Sequence, residues 1–172
     1  PHALLYRNDK KLSEDKLIDT LIYDGLIDAF NNYHMGVTAE NIAEKFKISR
    51  EEQDSFSLRS QQKTQLALKQ NKFKDELVKV DIDGNFLDVD ECPRKNLIAE
   101  DLEKLKTVFK KNGTVTPGNA SGINDGAAAV LLTSLKEAET KNLKPLAKIV
   151  SWSSVGVEPS LMGLGPINAV KL

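Results

Sequence analysis

Residues 127–134 read AAAVLLTS, an almost unbroken apolar run directly after a loop dense in glycine, serine, asparagine and threonine (GTVTPGNASGINDG, residues 113–126). Apolar residues at both odd and even positions suit a strand buried on both faces, the pattern of a layered α/β core. A second strand is expected over 146–157 (LAKIVSWSSVGV). One or two such strands cannot make a stable sheet by themselves. The core strands are therefore expected to need neighbours from another chain or from sequence not present here.

Ahead of the Gly-rich loop the chain has a different character, with amphipathic helices and a hairpin. Residues 12–31 place Leu17, Leu21 and Ile22 on one helical face, and Gly25 is expected to end or bend that helix. Thr38 precedes AENIAEKF, a short helix with Ile42, Ala43 and Phe46 turned inward. Ser49 and Glu52 have capping-box spacing, so a helix is expected from Arg50 to about Gln70. ELVKVDI (76–82) alternates as a half-buried strand, Asp83-Gly84-Asn85 reads as a turn, and FLDVD completes a hairpin. Residues 99–109 read as helical. Ser134 and Glu137 repeat the capping-box spacing ahead of a short helix, and Pro166 opens another.

Composition removes several classes of function. The 172 residues carry 24 Lys+Arg against 25 Asp+Glu, which leaves no basic footprint for nucleic acid or an anionic membrane surface. No apolar run approaches the ~20 residues of a membrane-spanning helix. The opening PHALLYRNDKK lacks the order of a signal peptide, and a start at Pro1 suggests an excised or processed segment. The single cysteine, Cys92, excludes an internal disulfide and fits a reducing compartment. Cys92 with His2 and His34 does not make a zinc set, so no metal site is expected.

Single motifs decide little. His34 and Met35 in YHMG (33–36) sit just before a helix, where a loop histidine in a satisfied hydrogen bond is the plainer reading. GNASG (118–122) permits close backbone approach and offers the Ser121 hydroxyl to a polar ligand, but equally suits an ordinary turn. Asn124-Asp125-Gly126 lacks the spacing of a calcium loop. Cys92 has no adjacent base or helix N-terminus and reads as an inert thiol. Ser153 and Ser154 have no partner base in sequence.

The ordered combination says more. DGLIDAF, YHMGVTAENIAEKFKISREEQDSFSLRSQ, NGTVTPGNASGINDGAAAVLL and PLAKIVSWSSVGVEPSLMGLGP, in that order, resemble the thiolase family, most closely its short-chain acetyl-CoA acetyltransferases, over nearly all of residues 12–172. The resemblance implies a partial thiolase-like α/β fold. Residues 1–123 would be the coenzyme A-binding loop domain, 124–144 the end of the N-terminal domain of the layered αβαβα core, and 145–172 the start of its C-terminal domain.

The resemblance also implies site residues. Leu26 and Phe109 would line the pantetheine arm of coenzyme A, and His34 with Met35 the pantetheine and acyl ends. Arg94 in CPRKN would lie beside the adenine, where a planar guanidinium suits stacking. Ser121 would bond a pantetheine amide, with Ile123 nearby, and Met162 would close the acyl pocket. Pro117 stands where some relatives have alanine. An apolar trough with a few hydrogen-bonding groups is what a long amide-containing arm demands.

The family is expected to use a nucleophilic cysteine ahead of the segment seen here, and an asparagine in NEAF, a histidine in GHP and a second cysteine in CxG outside these blocks. None of these motifs occurs in this sequence, and Cys92 lies in the wrong block to be either cysteine. No catalytic residue is therefore expected in this chain, which alone should be inactive. The parent enzyme would be a homo-oligomer, dimer or tetramer, acting on acetyl-CoA and acetoacetyl-CoA as substrates. It would hold no permanent cofactor and would reside in the cytoplasm, with mitochondria as the alternative. A non-catalytic coenzyme A-binding or assembly module is the competing reading, and a longer-chain degradative thiolase a third that Met162 opposes.

Overall fold

The computed structural model describes residues 3–5 and 17–172, with side chains from residue 18 onward. Strand β1 (Ala3–Leu5) pairs antiparallel with β2 (Leu17–Asp19), in the register Ala3 to Asp19. Helix α1 follows at Thr20–Gly25, and the Asp19 carboxylate caps it by accepting from the backbone N–H groups of Leu21 and Ile22. This corrects the long helix expected over 12–31. Leu17–Asp19 finds backbone partners in a distant strand, and the capping aspartate starts the helix only at Thr20. Gly25 ends it as expected; residues 12–16 lie outside the described residues.

Helix α2 spans Met35–Phe46, starting ahead of the expected AENIAEKF. Its N-cap is His34, whose Nδ1 accepts from Gly36 N at 3.0 Å. Thr38 is consequently buried inside the helix, with its hydroxyl on Met35 O. Ala43 is buried as expected, whereas Phe46 is 53% exposed at the end of the helix. Helix α3 (Arg50–Lys69) carries the full capping box: Ser49 Oγ accepts from Glu52 N at 3.2 Å and Glu52 Oε2 from Ser49 N at 2.7 Å.

The hairpin is β3 (Val80–Ile82) with β4 (Asn85–Leu87), closed by Asp83 and Gly84, both at positive φ. Positive φ at both central residues is the turn that matches strand twist, which is why Asp-Gly serves there. Helix α4 is only Ala99–Glu103, shorter than the 99–109 expected. Beyond Lys104 the chain turns away into a loop returning under α2 and α3, with Val108 N donating to Val115 O.

The two apolar stretches are the main departure. Neither 127–134 nor 146–157 forms a strand, and Val130, Leu131 and Trp152 are 84%, 84% and 89% exposed. A strand needs a neighbour to take its backbone N–H and C=O groups, and no described segment offers one. The termini of this region are ordinary. Ser134 Oγ accepts from Glu137 N to start α5 (Leu135–Thr140), but the Glu137 carboxylate pairs with Lys141 instead of completing a box. A 3-10 segment at Pro159–Leu164 leads into α6 (Gly165–Lys171), which has Pro166 in its first turn.

The buried centre is small. Ala43, Leu102 and Val115 contribute apolar side chains, and Thr38, Glu40, Asp54 and Thr116 are buried polar groups. Most of this centre lies where the 107–119 loop crosses α2 and α3, and that crossing builds the candidate site.

Candidate functional site

Three of the expected residues come together through one tight loop. Leu26 O accepts from Met35 N at 2.7 Å, and Ile27 pairs with His34 in an isolated antiparallel bridge. Between them Asp28 organises the turn: its carboxylate accepts from Phe30 N at 2.8 Å, Asn31 N at 3.3 Å and Asn31 Nδ2 at 2.8 Å. The Asn31 amide, helped by the backbone N–H groups of Phe30 and Asn31, holds the Asp28 carboxyl below its ordinary value, against a partial loss of water contact that raises it. Asn32 completes the turn at φ 58°. Leu26, His34 and Met35 are thus held close together at the N-terminus of α2.

Phe109 joins them from the far side of the sequence. Its ring stacks on the His34 imidazole at 4.6 Å between centroids, with the planes 21° apart. The ring also lies over Gly36, where an added Cβ would overlap it. A glycine inside a helix costs about 1 kcal/mol relative to alanine; here it leaves the space Phe109 occupies. With Nδ1 accepting from Gly36 N, a neutral His34 carries its proton on Nε2, a donor available to a ligand.

Two buried carboxylates set the returning loop. Glu40, 2% exposed, accepts from Thr114 N, Thr114 Oγ1 and Val115 N at 2.8 to 2.9 Å. Asp54, 7% exposed, accepts from Arg50 Nε at 2.6 Å and from Asn119 Nδ2 at 2.9 Å. Asn119 Oδ1 in turn accepts from Thr116 N, and Arg50 donates to the carbonyls of Leu102 and Leu105. Gly118 sits against Leu102 and Leu105, whose side-chain ends would have to shift to admit a Cβ. Pro117 and Ser121, both exposed, therefore flank a loop tied to α3 through Asn119.

The remaining candidates hang on the same two helices. Arg94 is fixed by its backbone: its N–H donates to Gln61 Oε1 at 2.9 Å, and its carbonyl accepts from Gln65 Nε2 at 3.2 Å, both on α3. Its side chain is exposed. Met162, 41% exposed, lies on the 3-10 segment that packs on α2, where Asn41 Nδ2 donates to Ser160 O and Gly163 abuts Ile42. Ile123, expected near the pantetheine, is 63% exposed. Cys92 is exposed and accepts from Asn124 Nδ2 at 3.0 Å. Among the described residues no group of His, Cys, Asp and Glu could hold a metal ion, and no helix is long and apolar enough to cross a membrane.

Reading the sequence missed Glu40, Asp54 and Asn119. Arg50 and Asp54, four apart beside a capping box, were a usable signal for the second anchor. Glu40 offered none, because its partners lie 74 positions away.

Comparison with known proteins decides the family. Residues 2–136 match the family described as thiolase, N-terminal domain. The chain belongs to the thiolase family. An acetyl-CoA acetyltransferase of Shinella zoogloeoides is 49% identical over 173 residues, which is 98% of this chain and 44% of that protein. The cytosolic acetyl-CoA acetyltransferase of Rattus norvegicus is 49% identical over 177 residues, 99% of this chain and 45% of that protein. This thiolase-family chain therefore spans less than half the length of these relatives. Among solved structures, human mitochondrial 3-ketoacyl-CoA thiolase in complex with CoA superimposes with a TM-score of 0.86 at 43% identity, covering 99% of this chain and 43% of that one. The acetyl-CoA acetyltransferase of Bacillus anthracis matches with a TM-score of 0.86 at 39% identity, over 99% and 44%. The α/β thiolase fold, in part, is thus the fold of this chain.

Proposed function

We propose that this chain supplies the coenzyme A-binding surface of an acetyl-CoA acetyltransferase, an enzyme that joins two acetyl-CoA molecules into acetoacetyl-CoA and CoA or runs the reverse thiolysis. The observation that carries the reading is the Phe109 ring stacked on His34, next in sequence to Met35, whose backbone N–H is bonded to Leu26. An aromatic face, a thioether and an aliphatic side chain next to one Nε2 donor suit a thin arm that is largely apolar and carries amides. The acetyl-CoA acetyltransferases at 49% identity, and the CoA-bound thiolase that shares the fold, support the ligand class.

In this reading Ser121 bonds a pantetheine amide, with Pro117 and Ile123 beside it. Arg94 faces the adenine from its clamp on α3, and Met162 limits the acyl end. The division into a loop domain (1–123) and two core portions (124–144 and 145–172) belongs to the same reading. So does the covering of Val130, Leu131 and Trp152 by further strands of the whole enzyme, which is a homo-oligomer. None of the residues here attacks the acyl group; this chain binds and orients, and the covalent chemistry belongs to the rest of the enzyme. The cytosolic name of the rat relative supports a cytoplasmic location, and the mitochondrial thiolase keeps that compartment as the alternative.

Thiolysis of 3-ketoacyl-CoA substrates of increasing chain length by the full-length protein tests this. Acetoacetyl-CoA should be cleaved fastest, with rates falling as the chain grows. A preference for long chains would replace the reading with a degradative thiolase. Coenzyme A binding without turnover of any length would replace it with a non-catalytic binding module.

A further inference from the structure

We propose that Glu40 is a positioning residue for coenzyme A, acting through the 107–115 loop to hold Phe109 on His34; this rests on the coenzyme A reading above. Glu40 touches none of the proposed ligand-lining side chains in the hydrogen bonds it makes. Its carboxylate takes Thr114 N on both oxygens, at 2.9 and 2.8 Å, Thr114 Oγ1 at 2.9 Å and Val115 N at 2.8 Å. It is 2% exposed, and Gly113 lies directly against it, where any Cβ would collide with the carboxylate. The bonded residues close the base of the loop that carries Phe109: Val115 O accepts from Val108 N, next to Phe109.

The two backbone N–H groups turned toward Glu40 are donors only and the Thr114 hydroxyl donates as well, so a carboxylate accepts from all three. An amide in its place keeps one acceptor oxygen for Thr114 N and Val115 N but sets its NH2 group where the second oxygen takes Thr114 N, a donor facing a donor in a buried site. On the same helix, one turn further along, Glu44 Oε2 accepts from Lys110 Nζ at 2.6 Å, and Phe109 precedes Lys110 directly. The loop is thus tied to α2 by a buried anchor at its base and an exposed one near its tip. Gly36, one turn ahead of Glu40, leaves the gap into which the ring is held.

The test is a double-mutant cycle in the full-length protein, with coenzyme A affinity by calorimetry and the His34 ring-proton resonance by NMR as readouts. The His34 signal, assigned by its loss in His34→Ala, reports the aromatic stack without any ligand. Glu40→Gln should weaken coenzyme A roughly tenfold and shift the His34 resonance toward its value in Phe109→Ala. The Glu40→Gln, Phe109→Ala double variant should bind no more weakly than the weaker single one, because both remove the same placement. Thr114→Val, which deletes one hydroxyl bond to Glu40 and keeps the side chain's shape, gives the same pattern more weakly and stands in if Glu40→Gln does not fold.

Losses that multiply in the double variant, or an unmoved His34 resonance, would overturn the positioning role. If the wild-type protein binds no coenzyme A while the Glu40→Gln shift appears, the ligand reading fails and the link from Glu40 to Phe109 stands.

Discussion

The ring of Phe109 lies 4.6 Å from the imidazole of His34, nearly parallel to it, across the N-terminal turn of α2. The contact joins the helix that carries the YHMG motif to a loop that returns from α4. Its surroundings lead to tests of both stability and binding.

Gly36→Ala probes the space under the ring. Alanine would favour the helix by about 1 kcal/mol, but its Cβ overlaps Phe109, and overpacking of this kind costs about 1–3 kcal/mol. The net result should be a protein no more stable than wild type with coenzyme A affinity down roughly tenfold, read by thermal unfolding and calorimetry. A stabilised variant with unchanged affinity would place the ring elsewhere.

Asp54→Ala removes the second anchor. It removes the carboxylate partner of Arg50, whose side chain is 20% exposed and keeps only the carbonyls of Leu102 and Leu105, and leaves Asn119 Nδ2 with Thr114 O alone. Removing one partner of a buried pair costs ~3–5 kcal/mol; the partial exposure of Arg50 brings the expected loss to about 2–3 kcal/mol. Denaturant unfolding of the full-length protein measures it, provided the transition is cooperative.

The Lys110–Glu44 pair gives a pH signature. Glu44 raises the Lys110 pKa above its ordinary 10.5, so this lysine contributes stability below 10.5 that is lost as pH rises through its folded value. Lys110 lowers the Glu44 pKa below 4.5, so that contribution is present above 4.5 and lost as pH falls through its folded value. The difference in unfolding midpoint between wild type and Lys110→Met should therefore be present at about pH 7 and shrink progressively as pH falls below 4.5. Both groups are solvent-exposed, so the difference should also shrink in high salt.

Arg94→Ala separates the two ends of the ligand. Stacking of a guanidinium on an aromatic face contributes about 0.5–2 kcal/mol. Coenzyme A should bind roughly twofold to thirtyfold more weakly, while pantetheine, which lacks the adenine, should bind as it does to wild type. Equal losses for both would move the adenine away from Arg94.

What sequence alone disclosed follows from distance along the chain. Ser49 with Glu52, Ser134, and Asp83-Gly84 act within four residues, and the helix starts and the turn they predict are the ones found. Leu17–Asp19 reads as helix in sequence because its strand partner, Ala3–Leu5, is too far along the chain for a local pattern to announce it. The start of α2 was placed late because a histidine is not among the common N-caps. AAAVLLTS had the composition of a buried strand, but composition cannot supply the neighbours on which a strand depends. At the site, motif resemblance named residues that would face a ligand; the structure joins Leu26 to Met35 through the backbone and stacks Phe109 on His34. The anchors behind them, Glu40 and Asp54 with Asn119, stayed hidden because their partners are 74 and 65 positions away.

The central claim is that Leu26, His34, Met35 and Phe109 hold the pantetheine arm of coenzyme A. The most direct measurement is a calorimetric titration of coenzyme A into the full-length protein and its Phe109→Ala variant. The account predicts saturable binding to the wild type and at least a roughly tenfold loss, about 1.4 kcal/mol, in the variant. Binding of equal strength to both, or none to the wild type, would contradict it.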